Sequence, residues 1–136
     1  MARGLTGAER QALTGFFTPK LLAAVRLRWM ARGGLPGFAA ITFGRRVFIS
    51  RRELGAGVPP TDLLFHELVH VVQYQLLGFW PFLWSYGAAF VRLRGDYFRI
   101  PHERIANELR QRFRANPATP FAVRDTIQAW VNGGCR

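Results

Sequence analysis

The stretch "TDLLFHELVHVVQYQLLG", residues 61–78, constrains this chain more than any other. It follows the loop "RRELGAGVPP" and holds no internal glycine or proline, with Gly78 at its end. Thr61 is placed to cap a helix, and Gly78 stands where a helix C-terminus favours glycine. Leu63, Leu64, Leu68, Val69, Val71 and Val72 put apolar surface on most of its circumference. These leucines and valines are expected to hold the helix in the core.

Its polar residues therefore need a reason. A helix turns about 100° per residue, so His66 and His70 lie about 40° apart on one face, and both imidazoles can reach a single ion. Glu67 lies about 60° from His70, within reach of a water at that ion without being a ligand. This is the geometry behind an H-E-x-x-H pattern, which suits zinc bound by two neutral imidazoles and a carboxylate with a fourth position left for water. Glu67 is then the expected general base of a metal-assisted hydrolysis. The plain alternative is a buried histidine pair with a structural role only. A third protein ligand must come from elsewhere, and the residues alone leave His102, Glu103, Glu108 and Asp96 open.

Around the motif the chain reads as an α+β domain. Thr6 and Glu9 form a capping-box pattern for a short helix to about Phe16, and Thr18–Pro19 opens a second, "PKLLAA". "VRLRW", residues 25–29, alternates as a strand before the stop "ARGGLPG". "AAITFGRRVFIS" reads as a hairpin turning at Gly44–Arg45, with Phe43 opposite Arg46, Thr42 opposite Val47 and Ile41 opposite Phe48. Further helices are expected from about Pro81 to Leu93, from Pro101 over "PHERIANELRQRFR", and from Thr119–Pro120 to Gly133. The expectation is a small antiparallel sheet packed on the motif helix, with helices N- and C-terminal to it, all in one domain over residues 1–136.

Charge and composition bound the partners. The formal net charge is +11, carried almost wholly by arginine, with Lys20 the one lysine. Such a balance favours anionic surfaces, yet the arginines form no block and no nucleic-acid-binding motif accompanies them. The uncharged run Leu76–Val91 spans 16 residues broken by Gly78, Pro81 and Gly87, whereas a spanning helix takes about 20. It reads as core or a membrane-surface contact, with Phe79, Trp80, Phe82 and Trp84 as core, hydrophobic lip or partner patch. Cys135 is the single cysteine, so the fold needs no oxidising compartment, and the N-terminal residues lack a secretory signal. The cytoplasm is the expected location before any export.

The order "HELVHVVQ", an aromatic and leucine-rich segment, then "IPHERIA", resembles small zincin-type metallopeptidases with a glutamate ligand. Over roughly residues 15–115 the chain resembles the compact metallopeptidase core domain found with extracellular contractile injection systems. "FGRRVFI" matches that group's "LGRRI"-like hairpin. Pro101, Glu103 and Ala106 match its "NPFExEA"-like motif, while Ile100 and Ile105 depart from it. The resemblance implies His66, His70 and Glu103 as zinc ligands, Glu67 as general base, peptide or protein substrates, and residues 46–50 as an edge strand that receives an extended peptide. Tyr86, Tyr97 and His102 are candidates to polarise a scissile carbonyl, while Gln73 and Tyr74 read as packing or hydrogen-bonding residues. The competing readings are an inactive zincin-fold binding module and a basic accessory protein that binds anionic membrane or nucleic acid.

Overall fold

The computed structural model describes residues 2–30, 38–53 and 58–136. Strands β1 (Ala2–Arg3), β2 (Arg26–Trp29), β3 (Ala40–Phe43) and β4 (Arg46–Ile49) form one sheet in the order β1-β2-β4-β3. Helices α1 (Gly7–Leu13), α2 (Pro19–Ala24), α3 (Thr61–Leu77), α4 (Phe79–Arg92), α5 (Pro101–Ala115) and α6 (Val123–Asn132) complete an α+β fold. The expected stop at "ARGGLPG" and the middle of the loop expected over 51–60 lie outside the described residues.

α3 is the axis of the fold. Every residue from Leu63 to Tyr74 is buried, so no side of those turns meets solvent. α5 and α6 pack against it, β3 lies along it, and α4 leaves its end through Gly78. Gly78 takes φ 92°, the positive-φ region that glycine enters without a Cβ clash, and is both the C-cap of α3 and the N-cap of α4. At the other end Phe65 is fully buried. Its ring stacks on Phe113 with centroids 4.5 Å apart and meets Phe16 edge-on at 5.7 Å. That aromatic cluster ties α3 to α5 and to the turn after α1.

Local signals are realised closely. Thr6 accepts from the Glu9 amide at 3.1 Å, and Glu9 Oε1 accepts from the Thr6 amide at 2.8 Å, which closes the capping box. Thr18 caps α2, with Pro19 at its start. The hairpin has the expected register, Phe43 with Arg46 and Ile41 with Phe48, and Gly44 turns it at φ 64°.

Several expectations need correction. The sheet is mixed: β3 and β4 are antiparallel, as are β1 and β2, but β2 runs parallel to β4. β4 thus lies inside the sheet, with Val47 and Ile49 fully buried, so residues 46–50 are no edge. Among the described strands the sheet edge beside α3 is β3. Thr61 is the first helical residue and not the cap, because the Pro60 carbonyl already accepts from the Leu64 amide. α4 begins at Phe79, two residues before Pro81. α1 ends at Leu13, before Gly15 turns at φ 88°. α6 begins at Val123 and not at Thr119–Pro120, because Pro120 packs against Gly15 and the Val123 amide donates to the Phe16 carbonyl.

Candidate metal centre

α3 carries Asp62, His66, His70 and Gln73 at steps of four, four and three residues, a polar stripe along a helix whose other buried residues, Glu67 and Tyr74 apart, are apolar. That stripe faces α5, which runs antiparallel to it. At one end Arg110 of α5 donates to Asp62 Oδ2 through Nε at 3.0 Å and Nη2 at 2.8 Å. Two turns away, Glu103 of α5 meets both histidines. Ala106, fully buried between them, keeps the helices close.

The three donor atoms form a near-equilateral triangle. His66 Nε2 lies 3.0 Å from Glu103 Oε1, His70 Nε2 lies 3.1 Å from the same oxygen, and the two ring nitrogens are 3.2 Å apart. Protons serve such a triangle badly. If one ring carries Nε2–H, the other faces the carboxylate lone pair to lone pair; if both do, two N–H groups confront each other. A cation held by all three atoms satisfies every edge. For tetrahedral zinc with bonds of about 2.0–2.1 Å, ligand atoms stand about 3.3–3.4 Å apart, only slightly wider than here. Among the described residues, His66, His70 and Glu103 are the group of histidine, cysteine and acidic side chains that can hold a metal ion.

The surroundings point the same way. Glu67 and Glu103 are 3 % exposed. Among the described residues the arginine ion pairs are Arg3–Glu9 and those of Arg110 and Arg114 with Asp62, so no arginine neutralises either buried acid. A buried carboxylate without a cation is costly. Burial works against the His70 imidazolium, but the Glu103 carboxylate outweighs it and holds His70 up at about 9. Burial would raise the Glu103 carboxyl, but His70 and His66 draw it far below the usual carboxylate range. Each side of the triangle thus asks for the opposite charge.

Neighbouring residues orient the three donor side chains. Gln73, fully buried, donates its amide N–H to the His102 carbonyl at 3.1 Å, which sets which end of the amide is oxygen. Gln73 Oε1 then accepts from His70 Nδ1–H at 2.7 Å, so that the neutral ring has its lone pair on Nε2, toward Glu103. Tyr86 O–H donates to Glu103 Oε2 at 2.8 Å, and burial pushes its phenol well above the usual range, so it stays a donor. Thr42 O–H, on β3, donates to Glu67 Oε2 at 2.7 Å, and Tyr74 O–H donates to the Thr42 carbonyl at 3.0 Å. Gln73 and Tyr74 therefore do more than fill space.

The other candidates fall elsewhere. Glu108 and Asp96 are exposed and away from the triangle. His102 turns its ring to Ser85, at 2.8 Å from the hydroxyl, and burial lowers it to about 4, so it is neutral. Tyr86 and Tyr97 both line a cavity of about 180 Å³ over the site, walled also by Thr42, Glu67, His70 and Phe82. Phe82 is core, whereas Phe79 is partly exposed and Trp80 and Trp84 point outward.

Gln73, Thr42 and the Asp62–Arg110 pair were not singled out for the site by sequence reasoning. Only the stripe spacing on α3 signals two of them. Compared with known proteins, the chain matches no family model, no curated protein and no solved structure, so the chemistry of these residues alone carries the functional reading.

Proposed function

We propose that this chain is a zinc-dependent peptidase in which His66, His70 and Glu103 hold the metal and Glu67 is the general base. The observation that carries the reading is the buried convergence of two Nε2 atoms and one Oε1 within 3.0–3.2 Å of one another, on two clamped helices, with Glu67 on the wall of the same cavity. A zinc ion held there supplies Lewis-acid polarisation of a water and of a carbonyl oxygen.

The chain's own residues supply the rest. Glu67 Oε2 is held by the Thr42 hydroxyl, which fixes the carboxylate plane against the cavity while it takes a proton from the attacking water and passes it to the leaving amine. Glu103 gives Oε1 to the ion and keeps Oε2 on Tyr86, so it cannot swing away. Gln73 keeps His70 in the ligating tautomer.

β3 supports a peptide as the substrate class. Its outer edge has no neighbouring strand among those described, and an extended chain can add there by backbone hydrogen bonds. In the observed register Ala40 and Thr42 turn their backbone groups away from β4. Tyr74 already donates to the Thr42 carbonyl, which leaves the Thr42 N–H and both backbone groups of Ala40 on that edge without a strand partner among the described residues.

The test is Glu67→Gln. It should keep zinc and lose hydrolysis of a broad peptide library, whereas His66→Ala or His70→Ala should lose the metal itself. Undiminished peptidase activity in Glu67→Gln would overturn the mechanism.

A further inference from the structure

α4 is apolar on both sides, yet only one side is covered. Taking Trp80 as the origin and about 100° per residue, Phe82 and Ala89 lie near 200° and 180°. These two are buried. Trp84, Gly87, Ala88 and Val91 lie with Trp80 inside an arc of about 100° on the opposite side. Trp80, Trp84 and Val91 are 74 %, 82 % and 77 % exposed. A side chain placed at Gly87 would meet nothing within 4 Å, so no other described part of the chain covers the middle of that face. A helix that is apolar all round is expected to be buried, and here half of it faces water.

Basic residues stand near both ends of α4. At the N-terminal end the hairpin turn packs on α4, where a Cβ on Gly44 would lie 3.6 Å from Phe79, and it carries exposed Arg45 and Arg46. At the C-terminal end come exposed Arg92, Arg94 and Arg99, with Phe98, 73 % exposed, between the last two. Residues 79–95 contain no acid. Among the described residues none of these five arginines is in a salt bridge. Their charge is thus free for an external anion.

The structure points to the surface of a bilayer containing anionic phospholipid as the partner of this face, and we propose that α4 lies in its interface. Indoles favour the headgroup boundary, apolar side chains sit just below it, and arginines reach phosphates beside it. No helix among the described residues is long and apolar enough to cross a membrane, which matches a helix that lies on the bilayer. α4 would then stand between lipid and cavity, with the cavity about 10 Å from the surface. This inference goes beyond the peptidase reading and does not depend on it, since it concerns the outer side of α4 alone.

The experiment is co-sedimentation of the full chain with vesicles of phosphatidylcholine, alone or mixed with phosphatidylglycerol, at physiological ionic strength, with tryptophan emission followed in parallel. Glu67→Gln is carried alongside and should bind like the wild type whether or not either cleaves peptides. The expected result is binding to the mixed vesicles with a blue shift and quenching by brominated acyl chains. Trp80→Ser/Trp84→Ser, both at exposed positions, should lower the partition coefficient by about tenfold or more and remove the quenching. Arg92→Gln/Arg94→Gln should lower it by about 25-fold on the mixed vesicles, at about fivefold per arginine, and leave any binding to neutral vesicles unchanged. Binding that is indifferent to the tryptophan pair, or equal retention by a soluble polyanion, would overturn the proposal. So would a concentration-dependent dimer that Trp80→Ser/Trp84→Ser dissolves while vesicles capture nothing.

Discussion

Replacing Gln73 with Leu tests the link between the buried amide and the metal site. Gln73 is fully buried and makes two hydrogen bonds, accepting from His70 Nδ1–H at 2.7 Å and donating to the His102 carbonyl at 3.1 Å. Leu has a similar volume, so the core should stay filled, but it leaves the His70 Nδ1–H donor unpaired and takes one of two partners from the His102 carbonyl, which still accepts within α5. At about 1–3 kcal/mol for that orphaned donor, the metal-free protein should lose about 1–3 kcal/mol. That is a large share of the stability of a typical domain. His70 also loses the bond that keeps its lone pair on Nε2, and partners of this kind change metal affinity by about 10–100-fold. Urea unfolding of the metal-free protein reads the first effect, and competition with a chromogenic zinc chelator reads the second. Gln73→Glu separates them. It keeps an acceptor for His70 but sets a carboxylate against the His102 carbonyl, so zinc affinity should recover more than stability. A Gln73→Leu protein that is destabilised yet binds zinc within about twofold of wild type would refute the orienting role.

Two further outcomes concern the frame. Phe65→Ala, which removes the ring stacked on Phe113, should cost about 3–5 kcal/mol in urea unfolding, and a loss below about 1 kcal/mol would show that the cluster is not a core. Acid should weaken the clamp between α3 and α5. Burial alone would raise the Asp62 carboxyl, but hydrogen bonds and charge from Arg110, with Arg114, bring it below the ordinary value, so its folded pKa lies under its unfolded one. Its contribution is therefore present above about pH 4 and is lost as pH falls through the folded value. The pair is partly exposed, so the effect is at most about 1 kcal/mol. Asp62→Asn should be less stable than wild type at neutral pH and should converge with it once pH falls below the folded value in low-salt urea titrations. Parallel curves across that range would contradict the assignment.

Features set by neighbouring residues were legible in the sequence. The capping box at Thr6–Glu9, the start of α2 at Thr18–Pro19, the turn at Gly44 and the buried run of α3 each depend on a few consecutive side chains. The order of strands does not. β4 pairs with β2 as well as β3, and nothing in "RVFI" records which strand will lie on its second side. β1 is two residues long, too short for any alternation to show. α6 starts where Phe16 offers a carbonyl, more than a hundred positions earlier in the chain, and so ignores the local signal at Thr119–Pro120.

The candidate centre divides in the same way. His66, Glu67 and His70 share one helix, and their geometry follows from its pitch. Glu103 faces them only because α5 packs antiparallel on α3 with Ala106 between, and spacing could not choose it over Glu108. Gln73 looked like any polar residue in an apolar run. Its role depends on the His102 carbonyl, which only the packing of α5 brings near.

Metal content tests the central claim most directly. Elemental analysis of purified wild-type protein and of His66→Ala, His70→Ala and Glu103→Ala, each checked for folding by circular dichroism, should find one zinc per wild-type chain and a loss in all three variants. A folded wild-type protein that takes up no zinc, or a Glu103→Ala variant that keeps its zinc with unchanged affinity, would contradict the account.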